Sequence, residues 1–151
     1  MQKLHYPPPG SAPTTVPVPA KSESRPTTIK LIEYDAHSFL EKEVSAVDEL
    51  ADCFENEKVT WVNIEGLGSL ELLLEIGQLF QIHTLAMTDV LTLGQRPHLD
   101  VYDRQIFLLL QMVYHNEELD LVFEQLSILV GGRFVLTFQE EPGHDVFEPV
   151  R

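Results

Sequence analysis

Residues 104–140 read RQIFLLLQMVYHNEELDLVFEQLSILVGGRFVLTFQE. Three runs rich in Val, Ile, Leu and Phe are cut by two turn signals, Asn116-Glu117-Glu118 and Gly131-Gly132. This spacing predicts an antiparallel meander of three strands. The first run is apolar on both of its alternating faces, as expected of a central strand covered from two sides.

Upstream of the meander, HLDVYD alternates and reads as another strand. Before it, Thr84 to Leu93 reads as a short helix, with Met87, Val90 and Leu91 facing inward and Thr88, Asp89, Thr92 and Gln95 on the other side. Thr84 is placed to cap it, and Pro97 ends it by biasing Arg96 away from helix. SLELLLEIGQLFQ, from Ser69, reads as a helix with Ser69 as N-cap and a wide apolar surface. KVTWVNIEG reads as a strand closed by Gly66, and AVDELADCFEN carries Val47, Leu50, Ala51 and Phe54 at helical spacing. TIKLIEY and SFLEKEV read as a pair of strands. The pattern predicts an α/β fold, a mixed β-sheet sandwiched between helical layers (α/β/α), its C-terminal part an antiparallel meander.

Order is expected from Thr28, so residues 28–151 form one domain. Residues 1–27 hold Pro7, Pro8, Pro9, Pro13, Pro17, Pro19 and Pro26 and read as a proline-rich disordered tail. PGHDVFEPVR, at the other end, starts an element without completing it.

The chain has 151 residues and a formal net charge of −14. Such a surface repels nucleic acid and anionic lipid and suits cationic partners, divalent metal ions included. No apolar run is long enough to cross a bilayer, and the N-terminus lacks a signal-peptide core, so this stretch is expected to be soluble. The single cysteine, Cys53, rules out an internal disulfide and reads as a small packed side chain.

Enzyme motifs are missing: there is no Gly-x-Ser-x-Gly, Walker loop or dinucleotide fingerprint. GLGS at 66–69 reads as a tight turn into a capped helix rather than an anion cradle. His83, His98, His115 and His144 lack the paired spacing of zinc ligands, and His83 reads as structural. Trp61 reads as core. Asp89 is the anomaly, because an acid well inside so short a helix has no N-terminus to cap. It is either solvated or set against something cationic.

Taken in order, VTWVNIEGL, IHTLAMTDVLTLGQRPHLDVYD, EQLSILV, RFVLTFQE and DVFEPVR resemble the N-terminal cytoplasmic domain of CorA-type magnesium transporters. The resemblance covers roughly residues 28–151. It implies a domain on the cytoplasmic face of the cell membrane, hung from a long stalk helix below a two-helix pore in a homopentamer. Arg151 is then expected to fall where the next helix begins. In the family, two acids of the short helix face acids on the neighbouring subunit's stalk and sense Mg²⁺. Asp89 matches the second acid; Thr88 stands where the first, usually Glu, is expected, and its hydroxyl can hold a metal-bound water. The resemblance thus implies Mg²⁺ or Co²⁺ transport with weak regulatory Mg²⁺ at Asp89. The sequence QRPH, where the family has QRPK, leaves a zinc-handling branch as the alternative. A metal-dependent acidic hydrolase is the third reading, without a nucleophile–base pair to support it.

Overall fold

The computed structural model describes residues 26–54, 56–115, 118–143, 145–147 and 149. The tail expected over residues 1–27 lies almost wholly outside these, as does His144. Seven strands are present: β1 (Thr28–Tyr34), β2 (Phe39–Val44), β3 (Val59–Glu65), β4 (His98–Tyr102), β5 (Gln105–His115), β6 (Leu121–Val130) and β7 (Phe134–Gln139). A 3₁₀ helix spans Val47–Phe54, and two α-helices follow β3, α1 (Leu70–Leu79) and α2 (Thr84–Leu91).

The strands form one sheet in the order β2-β1-β3-β7-β6-β5-β4. Every neighbouring pair is antiparallel except β3 and β7, which run parallel with Val62 opposite Leu136 and Ile64 opposite Phe138. The sheet is therefore mixed, and the C-terminal meander is present as β5-β6-β7 with β4 added at its edge.

Strand alternation decides which residues meet the helices. Registers place Ile29, Leu31, Val62, Ile64, Leu136, Phe138, Leu129, Phe107 and Leu109 on one face. All are buried in a single core with Leu50 of the 3₁₀ helix, Leu73 and Ile76 of α1, and Met87 and Val90 of α2. Fully burying each such side chain favours the folded chain by about 1.5–3 kcal/mol. The described helices thus form a layer on one face of the sheet. The reading of β5 as a strand covered twice holds on that face only. On the other face, within the described residues, Ile106 is 45% and Val101 66% exposed.

Where β1, β3 and β7 meet, that second face carries a polar cluster. Lys30 Nζ lies 3.2 Å from Glu65 Oε1 and 3.3 Å from Asp145 Oδ2. Asn63 donates its side-chain amide to both carboxylates, while Thr137 and Gln139 donate to Asn63 Oδ1 at 2.6 and 3.1 Å. Gln139 also donates to Asp145. Through Asp145, the C-terminal stretch that looked incomplete in the sequence is tied to the sheet centre by this clasp. Trp61 sits beside it, its indole N–H donating to Thr137 at 3.0 Å and its ring edge-on to Phe147.

Local chemistry sets the boundaries. Gly66 adopts a left-handed φ of 85°, and a Cβ there would come within 2.7 Å of the Pro26 carbonyl oxygen, so the turn after β3 requires glycine. Two of the GLGS amides are engaged within the protein, Gly66 N–H by the Gln139 carbonyl and Ser69 N–H by the Thr27 hydroxyl. Ser69 holds the N-cap position of α1 through its backbone, and its side chain makes no capping bond.

Candidate metal centre

The site lies where α2 meets the edge strand β4. His83, rather than Thr84, caps α2: its ring nitrogen accepts from Leu85 N–H at 3.2 Å. The His83 ring stacks on Tyr102 of β4 at 4.4 Å, which ties the start of the helix to the end of the strand. Ala86, Met87, Val90 and Leu91 are buried, and this fixes the roll of α2 on the sheet.

Asp89 falls toward the C-terminal end of α2, where the helix dipole disfavours an anion. The structure supplies the compensation. Gln95 donates its side-chain amide to Asp89 Oδ1 at 2.8 Å, and His98 Nε2 stands 3.5 Å from Oδ2. Gln125 of β6 donates to the Asp89 carbonyl oxygen at 3.1 Å, satisfying one of the open carbonyls at the helix end. The carboxylate remains 24% exposed. Thr88, next to it, donates its hydroxyl to the Thr84 carbonyl of its own helix at 2.9 Å.

His98 and Asp100 stand two residues apart on β4 and so share a face. Their partners on β5 are Leu109 and Phe107, both on the helix-covered side, which turns them toward Asp89. His98 Nε2 lies 3.6 Å from Asp100 Oδ2, and Nδ1 lies 2.8 Å from the Arg96 carbonyl oxygen. That carbonyl bond is the largest influence raising the His98 pKa above its ordinary value; the Asp89 and Asp100 carboxylates add to it against partial burial. Burial, and then the same two carboxylates, raise Tyr102. Asp89, His98 and Asp100 thereby form a group whose ligating atoms all lie within 4.8 Å of one another.

The sequence reading singled out Asp89 and Thr88; the structure keeps Asp89 in the cluster and brings in His98 and Asp100. The histidine spacings that argued against zinc compared His with His. The informative signal was the i, i+2 pair His98-Asp100 on an alternating strand. Cys53 is buried, and that burial, followed by the Glu33 charge, pushes its thiol up to about 11, so it is a packing residue with little thiolate.

Residues 56–149 match the sequence profile of CorA, the CorA-like Mg²⁺ transporter protein family. The chain belongs to the CorA family. It is 32% identical over 124 residues to the cobalt/magnesium transport protein CorA of Thermotoga maritima, a match covering 82% of this chain and 35% of the relative. The chain thus spans about a third of that CorA protein's length. The complete CorA magnesium transporter structure from Methanocaldococcus jannaschii superposes with a TM-score of 0.55 at 12% identity, over 75% of this chain and 32% of the other. The ZntB cytoplasmic domain of Vibrio parahaemolyticus does so with 0.54 at 14% identity, over 80% and 47%. At such identities these likenesses establish the fold. Membership of the CorA family, whose proteins are transporters, sets the hydrolase reading aside.

Proposed function

We propose that this CorA-family chain is the cytoplasmic, ion-sensing domain of a divalent-cation transporter. Asp89 would lend its carboxylate to a Mg²⁺ ion held between adjacent subunits of a homopentamer. The observation that carries this reading is the setting of Asp89. It is a partly exposed carboxylate, held at one oxygen by Gln95 and facing His98 with the other, in a chain of net charge −14.

The donor set suits Mg²⁺, which keeps most of its waters and binds through one or two carboxylates. When bound, the ion supplies positive charge that offsets repulsion between acidic subunits. Loss of the ion restores that repulsion and favours the open state. A coupling of about 1–3 kcal/mol would separate the ion affinities of closed and open states by roughly 5–150-fold.

The test uses the complete transporter assembled in membrane. Asp89→Ala is expected to abolish the protection from proteolysis that Mg²⁺ gives the wild type and to leave transport active at high internal Mg²⁺. Unchanged protection and unchanged transport would overturn the role of Asp89. The transported ion is a separate matter. Flux measured with Mg²⁺, Co²⁺ and Zn²⁺ distinguishes a magnesium/cobalt carrier from a zinc carrier, and the imidazole of His98 beside Asp89 is the observation that keeps zinc in the comparison.

A further inference from the structure

We propose that Asp89, His98 and Asp100 form a metal site complete within one protomer, one that takes a borderline transition-metal ion such as Zn²⁺ or Co²⁺ in preference to Mg²⁺. It shares Asp89 with the sensor reading and rests on it in that respect alone, since no neighbouring subunit is needed to build the ligand set.

The distances carry the first part. Two ligands bound about 2.1 Å from one tetrahedral ion stand about 3.4 Å apart. The His98 nitrogen lies 3.5 Å from the Asp89 oxygen and 3.6 Å from the Asp100 oxygen. Two of the three separations are therefore already those of a filled site. The third, between the Asp89 and Asp100 carboxylates, lies within 4.8 Å, and the Asp100 side chain is 50% exposed.

The setting of the imidazole carries the second part. Nδ1 lies 2.8 Å from the Arg96 carbonyl oxygen, so it carries the proton and donates it there. Nε2 then faces two carboxylate oxygens, an arrangement satisfied by a proton on Nε2 at low pH and by a metal ion in its place once that proton is lost. A histidine whose second nitrogen is held by a backbone carbonyl is the usual form of a metal-ligating histidine.

Gln125 packs against the end of α2 that carries Asp89. This residue is 5% exposed, and its amide oxygen has no hydrogen-bond partner among the described residues. Its amide nitrogen donates to the Asp89 and Val90 carbonyl oxygens at the end of α2. One nitrogen and two carboxylate oxygens favour Zn²⁺, Co²⁺ or Ni²⁺, whereas Mg²⁺ takes oxygen donors in near-octahedral array.

The experiment titrates the 151-residue chain with Co²⁺ and follows the visible d–d absorption, then displaces Co²⁺ with Zn²⁺ and separately with Mg²⁺. One Co²⁺ per chain is expected, displaced by Zn²⁺ at far lower concentration than by Mg²⁺. His98→Gln and Asp100→Asn should each weaken Co²⁺ binding about tenfold or more and shrink the Co²⁺-over-Mg²⁺ preference accordingly. Unchanged binding in both variants, or loss on His83→Gln or His115→Gln instead, overturns the proposal. Should a variant fail to fold, the wild type decides: paramagnetic broadening of amide signals by Co²⁺ must centre on residues 89, 98 and 100, and broadening centred elsewhere overturns it. The sensor reading stands or falls separately. Lost Mg²⁺ protection in the assembled Asp89→Ala transporter with no Co²⁺ effect of His98→Gln removes the present proposal alone. The reverse pattern removes the sensor alone.

Discussion

Asp89 shows how far a single residue can be read without coordinates. An acid with no helix start to cap was legible as an oddity, because Asp competes for backbone groups in mid-helix. What answers it was not legible, since Gln95, His98 and Gln125 come from a loop, an edge strand and a distant strand. His98 yields a prediction of its own. The Arg96 carbonyl and the two carboxylates bind its proton more tightly in the folded chain, so its pKa is raised above 6.5. In metal-free buffer that interaction stabilises the fold fully below about pH 6.5, and the contribution is lost as pH rises through the folded-state value. The His98 ring proton NMR titration should have its midpoint above 6.5 in the wild type and a lower one in Asp89→Asn. A wild-type midpoint at or below 6.5 would refute this account of the site.

Among the elements, those with a strong period were legible and those held by long-range contacts were not. The β1–β2 pair, the strand ended by Gly66, α1 and the meander all follow from alternation or helical spacing. The stretch from Val47 was readable as helical, and its tighter 3₁₀ form was not. The role of PGHDVF was hidden because it depends on Lys30, more than a hundred residues away in the chain. Asp145 accepts from Lys30, Asn63, Gln139 and the Phe147 amide in a largely buried setting, so Asp145→Ala removes four bonds at once, although Lys30 and Asn63 keep Glu65 and Gln139 keeps Asn63 as acceptors. The expected loss is about 1–3 kcal/mol, read from urea unfolding with an unchanged slope. A loss under a few tenths would mean that the clasp is ornamental to the fold.

For the whole molecule, charge and hydrophobicity point to different neighbours. The net charge of −14 makes two copies of this chain repel each other unless cations intervene. The sheet face away from the described helices carries Leu99, Val101, Ile106 and Val130, all substantially exposed. Apolar surface gathered on one face in this way drives association. The 151-residue chain on its own is therefore expected to self-associate as its concentration rises, seen by sedimentation velocity. Val101→Thr with Ile106→Thr should shift it toward monomer, and a wild type monomeric at millimolar concentration would contradict the expectation.

The parallel seam between β3 and β7 has a consequence for biosynthesis. Everything from β1 to β3 can pair as soon as it leaves the ribosome, yet the open edge of β3 has no native partner until Phe134 has been translated. Through that interval the nascent chain presents an unzipped strand to its surroundings, so mispairing and chaperone capture are concentrated during synthesis rather than in the finished sheet.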